Sequence, residues 1–280
     1  MTAPPTAIRG AGHVTDPRAM TWSALVLAGN RRADCPVAAA AGVSHKALAT
    51  VAGRPMIERV IAALRAVPTI GTIAVAIEDP DLLRTLPGLD PDGIRILQAA
   101  KSPSLSALAG VQALDGPVLM TTADTPLVTP EILAHFLDRQ PGSADATVGL
   151  ARVDLVKAAY PDAIRTGLRF ADGARSGCNL FAFHTTRAID VLRFWRRVEE
   201  NRKRPLAMLR QVGTMATLRY ASGTLTLDAA LAALGQRTGT TLAAVDMPFA
   251  EAAIDVDKPA DLALAERILS AREPVTPAGP

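Results

Sequence analysis

Lysine and aspartate residues at the edges of apolar runs are the first features of this sequence that could do chemistry. Lys46 sits in SHKAL, downstream of the run ALVLAGN (24–30), and Arg31 and Arg32 follow that run directly. An ammonium is a compact charge suited to phosphate, and a guanidinium can hold two oxygens at once. Gly29 lets the backbone turn and leaves amide N–H groups facing an anion. The competing role for this loop is an ordinary surface turn with solvated arginines. It carries neither a Walker A spacing nor a G-x-G-x-x-G fingerprint.

Three further segments are chemically suggestive. In PVLMTTADTPLVTP (117–130), Asp124 lies where a buried strand runs out, placed to offer a hard oxygen to a divalent cation or to cap a turn. In AAIDVDKPADLALAE (252–266), Asp255 and Asp257 are two apart on a strand-like run and so share a face. Two such carboxylates repel, and a bound cation would relieve them. Alternatively Asp257 is the N-cap of the final helix. In KSPSLSALAG (101–110), Ser102, Ser104 and Ser106 surround a helix start, fit either to meet a phosphate or base edge or simply to cap the helix.

The elements that position these residues alternate. Strands are expected at 24–28, 72–77, 94–97 and 117–122, with helices at 55–64, 80–86, 104–114 and 129–137, the last capped by Thr129 with Pro130 at its first position. This βαβα order predicts a parallel sheet with helices on both faces and ligands at the carboxyl ends of the strands. Past residue 145, strands are expected at ATVGLARV, IRTGLRF and NLFAF (179–183), then helices over 185–235 with breaks near Pro205, Gly213 and Gly223. Strands at 241–247 and 252–256 and a helix over 258–270 close the chain.

A hydrophobic content of 49% and a charged content of 20% describe a globular protein. A net charge of +3 with 4% aromatics is too little for nucleic-acid binding. Cys35 and Cys178 form no disulfide framework or zinc spacing, which fits a reducing compartment. Residues 1–20 and 273–280 read as disordered tails, without a signal-peptide core, around a domain spanning 21–272. A cytoplasmic location is expected.

Together these segments resemble the nucleotidyltransferases of the glycosyltransferase-A fold, most closely the MobA-like group. LAGNRR…SHKAL is similar to that family's LAGG-x-S-x-R-x-G…K loop, VLMTTADTPLVTPEIL to its G-D-x-P-L segment, and IDVDKPADLALAE to its closing D-x-D-x-P-x-D-L helix. GRPMIERVIAAL (53–64) resembles the helix after the family lysine. The resemblance covers residues 22–182 and 241–270. It implies a Rossmann-like three-layer α/β fold with a mostly parallel central sheet and a helical insertion at 185–235. The implied reaction is Mg2+-dependent transfer of an NMP group from an NTP to a small phosphorylated acceptor, with release of pyrophosphate.

The same resemblance implies roles. Leu27, Ala28, Gly29, Asn30, Arg31, Arg32 and Lys46 would hold the triphosphate, with Lys46, Arg32 and Asp124 as the catalytic group. Asp124 and Asp255 would bind Mg2+, with Asp257 beside them. Ser102 and Ser104 would meet the base or ribose, and Asn179 in SGCNLFAF the acceptor. Asn30 replaces a second glycine and Ala123 a glycine before the aspartate; Asn30 is expected to keep the turn by adopting left-handed geometry. A glycosyltransferase would carry D-x-D after a middle strand, where this chain has Ala123-Asp124-Thr125; a non-catalytic nucleotide-binding regulator is the other rival. In the insertion, Val191, Trp195 and Val198 form a helical stripe, with Arg193, Arg196 and Arg197 elsewhere on the wheel. That helix either packs on the domain with a solvated basic face or forms a platform for an anionic acceptor or an anionic membrane surface.

Overall fold

A computed structural model of the chain describes residues 21–30, 34–90, 93–163, 167–201 and 213–272. Both expected tails, Arg31, Arg32 and the Pro205 break lie outside the described residues. The first strand, β1 (Trp22–Leu27), lies at the centre of an eight-stranded sheet. Its neighbours are β4 (Ile70–Ile77) and β6 (Val118–Thr122), both parallel to it. Beyond β4 lies β5 (Arg95–Gln98). Beyond β6 lie β9 (Gly173–Phe183), β7 (Ala146–Arg152) and the edge strand β10 (Leu242–Asp246). β9 runs against its neighbours β6 and β7 and pairs also with the short β8 (Leu168–Phe170). The remaining pairings are parallel, giving a mixed α/β fold with a mostly parallel sheet.

Alternation along the strands explains the three layers, because successive side chains point to opposite faces. On one face Ala24, Val26, Ile73, Val75, Ile77 and Leu119 meet α2 (Met56–Arg65), α5 (Pro130–Asp138) and the last helix, α10 (Pro259–Arg272). On the other face Leu25, Ala74, Ala76, Val118 and Met120 meet α4 (Pro103–Gln112) and α7 (Ile189–Asn201). α4 comes close because Gly110 has no side chain: a Cβ there would lie 2.5 Å from Leu25 Cδ2. Further short elements are α1 (Pro36–Ala41), a hairpin of β2 (Thr50–Val51) and β3 (Arg54–Pro55), α3 (Asp81–Arg84) and α6 (Val153–Ala159). After α7 come α8 (Thr214–Ala221) and α9 (Leu227–Thr238), with Gly213 and Gly223 in positive-φ conformations at the ends of α8.

The structure departs from the expected elements in two places that matter for the site. The loop between Asn30 and Lys46 contains α1, whose Pro36 start and alanine content favour helix; at six residues it is too short for a periodic signal. The expected strand at 252–256 is a 3-10 turn over Ala250–Ala253 followed by extended chain outside the sheet. Ala252, Ala253, Ile254 and Val256 are buried there, the turn lying against α6 and the face of β7 and β9, and apolar content alone does not distinguish this from a strand.

At the amino ends of the strands, opposite the carboxyl edge, a buried polar cluster joins three segments. Asp145, 1% exposed, accepts hydrogen bonds from Thr185 Oγ1 (2.6 Å), Arg187 Nη2 (3.0 Å) and the Thr241 amide (2.8 Å). Burial opposes its ionisation, but these donors more than offset it, and its pKa lies below the usual value. A depressed folded-state pKa adds stability that is present above the unfolded value, near 3.8, and is lost as the pH falls through the folded one. Asp145→Asn is therefore expected to cost about 1–3 kcal/mol at pH 7. The gap from wild type should close below about pH 4, as read from urea midpoints across that range.

Candidate functional site

The carboxyl ends of β1, β4, β5 and β6 open on one edge of the sheet, and Lys46 reaches that edge from a 3-10 turn (Lys46–Leu48). The turn is capped by His45, whose Nδ1 accepts from the Ala47 amide at 3.2 Å. From there Lys46 Nζ donates to Asp124 Oδ2 at 2.6 Å and to Asp257 Oδ1 at 2.8 Å. Asp124, just past β6, is braced twice more: Thr122 Oγ1 donates to its Oδ1 at 2.5 Å, and its backbone carbonyl accepts from the Val256 amide at 2.9 Å. Burial disfavours the Lys46 charge, yet the Asp124 and Asp257 carboxylates more than offset it and raise the pKa above the usual lysine value. Lys46 is a fixed cation at neutral pH.

The Asp261 carboxylate, four residues past Asp257 and three past Lys258, accepts from their amides at 3.1 and 2.9 Å, in the manner of a capping box, while the Asp257 carboxylate accepts from Lys46. Asp255 instead accepts from Asn179 Nδ2 at 3.2 Å. Asn179 is aimed there by an irregularity of β9. The register against β7 shifts between Val148 and Leu150, and Asn179 takes a left-handed φ of 50° in the bulged strand. Beside these residues a cleft of about 640 Å3 opens, lined by Asp255, Asp257, Asn179, Ser176, Lys258 and Arg267. Ser176, Lys258 and Arg267 carried no sequence signal of their own.

The glycine turn differs from its expected form. Leu27 and Ala28 have backbone groups engaged in the sheet: the Leu27 carbonyl accepts from the Ala123 amide, and the Ala28 amide donates to Ala76. Neither Gly29 nor Asn30 is left-handed. A Cβ at Gly29 would lie 3.2 Å from Glu78 Oε1, so a larger residue there would have to push that side-chain end aside by a few tenths of an ångström. The same oxygen accepts from the Asn30 amide at 2.6 Å, and the buried His45 Nε2 lies 3.5 Å from the other. An acidic side chain thus already sits on the turn expected to face an anion. Glu78 ends β4 as Asp124 follows β6, and that position past a strand was the signal available for it.

Ser102 and Ser104 are also committed. Ser102 caps α4, accepting from the Leu105 amide, while Ser104 is fully buried and its hydroxyl and amide both donate to the Glu199 carboxylate of α7. Ser102 thus takes the capping role set out above, whereas Ser104 bonds across to α7. Glu199 continues the buried line of α7 through Ala188, Leu192 and Trp195, and an acid on an apolar stripe marks it. On the outer side of α7, Arg193 pairs with Asp190 and Arg196 with Glu200, both at 2.9 Å. Cys178 is buried among apolar groups, which push its thiol up to about 12 and leave it without nucleophilic character.

Whether this edge suits a divalent cation can be judged from what it already holds. Two hard carboxylate oxygens converge on one positive charge, and two protein oxygens are a usual share for Mg2+ when phosphates and water supply the rest. The donor set fits. The sequence matches the family model for a MobA-like NTP transferase domain over residues 24–188. The chain belongs to that family. Among solved structures, this MobA-like nucleotidyltransferase is similar to a hypothetical transferase from Thermus thermophilus. Identity is 31%, covering 87% of this chain and 100% of that one, at a TM-score of 0.74. Two others share the fold at a TM-score of 0.55. One is a 4-diphosphocytidyl-2C-methyl-D-erythritol synthase from Anaerococcus prevotii, at 15% identity over 90% of this chain and 96% of that one. The other is a CMP:2-keto-3-deoxy-manno-octonic acid synthetase complexed with CTP, at 14% identity over 91% of this chain and 99% of that one. No curated protein matches the sequence.

Among the described residues of this MobA-like chain, no helix is long and apolar enough to cross a membrane. The family match ends at residue 188, so the bond from Glu199 to Ser104 ties a helix beyond the matched region to the start of α4. Glu199→Ala would leave the buried Ser104 hydroxyl without this acceptor. It is expected to lower the urea midpoint by the equivalent of about 1–3 kcal/mol. Unchanged stability would mean that α7 is held by its apolar side alone.

Proposed function

We propose that this chain transfers an NMP group from an NTP to a small phosphorylated acceptor, releases pyrophosphate, and requires Mg2+. The observation that supports the reading best is the sharing of Lys46 between Asp124 and Asp257 at the carboxyl edge of the sheet, beside the cleft lined by Asn179. Family membership supports the reaction class. The acceptor, the base and the metal requirement are part of the proposal.

In the reaction, an acceptor oxygen attacks the α-phosphorus in line, the bond to the β-phosphate oxygen breaks, and pyrophosphate leaves with that electron pair. Mg2+ held by Asp124 and Asp255, with Asp257 beside them, would act as a Lewis acid on the phosphate oxygens. Lys46, kept charged by its surroundings, offsets negative charge on the triphosphate and the departing pyrophosphate. Asp124 is well suited to a fixed position because its backbone and one carboxylate oxygen are already tied to Val256 and Thr122. Asn179, holding Asp255 at the rim of the cleft, orients that carboxylate and faces the acceptor.

The test is a matrix of four NTPs against phosphorylated acceptors with Mg2+, scored by pyrophosphate release. One productive pair is expected. With that pair, Asp124→Ala should abolish release while circular dichroism stays unchanged; near-normal turnover in the variant would remove the metal assignment. If NTP binds and no acceptor yields pyrophosphate, the regulator reading replaces transfer.

A further inference from the structure

The Lys46 ammonium lies 2.6 Å from Asp124 Oδ2, an oxygen assigned above to the divalent ion, and 2.8 Å from Asp257 Oδ1 beside it. We propose that in the nucleotide-free chain Lys46 is an internal counter-ion that fills the cation position between Asp124 and Asp257 and must leave before a divalent ion can take those oxygens. The inference rests on the reading that this edge receives a metal–nucleotide, and it adds an exchange step and an order of events to it.

Three observations carry it. First, the ammonium is seated on both carboxylates at hydrogen-bonding distance, so a metal ion on the same oxygens, at about 2.0–2.1 Å, would be pressed against a like charge. Like charges a few ångströms apart in a partly buried site repel by several kcal/mol, at about 4 kcal/mol for 4 Å separation near a protein surface. Lys46 and Asp124 are such a site, with side chains 18% and 21% exposed. The two cations exclude each other.

Second, the Asp124 carboxylate and the Asp257 backbone are held by bonds that do not involve Lys46. Asp124 Oδ1 accepts from Thr122, the Asp124 carbonyl accepts from Val256, and the Asp257 amide is tied to Asp261. They can stay in place while the ammonium moves. Third, the Lys46 backbone is fixed in a capped turn, but its four-carbon stem rotates freely enough to carry the charge elsewhere without moving the chain. A triphosphate arriving on the glycine-turn side would give the ammonium a new anionic partner and leave both carboxylates to the ion. Nucleotide and ion then favour each other's binding, and the free chain binds the ion poorly.

The experiment uses the full chain, no nucleotide and no turnover. Mn2+ is titrated into wild type, Lys46→Met and the double variant Lys46→Met/Asp124→Asn, followed by electron paramagnetic resonance of free Mn2+. Lys46→Met is expected to bind Mn2+ about tenfold or more tightly than wild type, and the double variant to lose that gain. Equal or weaker binding by Lys46→Met overturns the inference, as does a gain that survives in the double variant. Should circular dichroism show Lys46→Met unfolded, Lys46→Gln takes its place with the same expectations. Unchanged Mn2+ affinity would leave the pyrophosphate assay standing, whereas a gain without pyrophosphate release in any pair would remove the transfer reading and keep the counter-ion.

Discussion

One ammonium shared by two carboxylates ties together parts of the chain that are remote in sequence. Lys46 and Asp257 are 211 positions apart, and Lys46 and Asp124 are 78 apart. Without that charge the Asp124 carboxylate, its side chain 21% exposed, would lose the cation that offsets its burial. The rest of the edge is arranged around keeping the three groups in register. β6 delivers Asp124, the capped 3-10 turn delivers Lys46, and the Asp261 carboxylate ties the backbone at Asp257 to the start of α10. Each of these local devices satisfies backbone groups that would otherwise compete for the same charged side chains.

The reversed strand β9 has a comparable role on the acceptor side. A fully parallel sheet would end every strand at the same edge in the same way. Running β9 against β6 and β7 instead carries a strand away from that edge, and the bulge between Gly177 and Phe181 breaks the ladder where Asn179 must turn toward Asp255. The left-handed conformation of Asn179 is a modest local strain, and asparagine is among the few residues that tolerate it. The resulting amide–carboxylate contact sets the rim of the cleft beside the lysine bridge.

Most of the scaffold was legible in the sequence because its signals are local. Apolar runs marked β1, β4, β5 and β6, and Thr129-Pro130 marked the start of α5, whose Thr129 cap is present. Lys46 and Asp124 stood out because they flank such runs. What sequence could not supply were contacts set by tertiary approach. Glu78 closing on Gly29 requires β4 to lie beside β1. Glu199 reaching Ser104 requires α7 to lie along α4. Neither pairing has a sequence period. The expected strand at 252–256 failed for a related reason: burial there comes from packing against α6 and the face of β7 and β9 and not from a ladder, so apolar content gave the right depth and the wrong conformation.

A single pattern accounts for the groups that sequence reasoning left vacant. The Asn30 amide, expected to face an anion, donates to the Glu78 carboxylate; the Ser104 amide at the start of α4 donates to Glu199; the two aspartates expected to face a cation receive Lys46. The Asn30 amide and the two aspartates of the lysine bridge each have an internal partner carrying the same sign of charge as the substrate part assigned to them on the proposed reading. That is what burial demands of a ligand-free site, since an unmatched amide or carboxylate at the rim of a core costs more than a hydrogen bond returns. Binding at such an edge is then an exchange of partners. Its net free energy is the difference between two matched states, and a ligand gains selectivity by releasing several of these internal bonds together, which fragments of it cannot do.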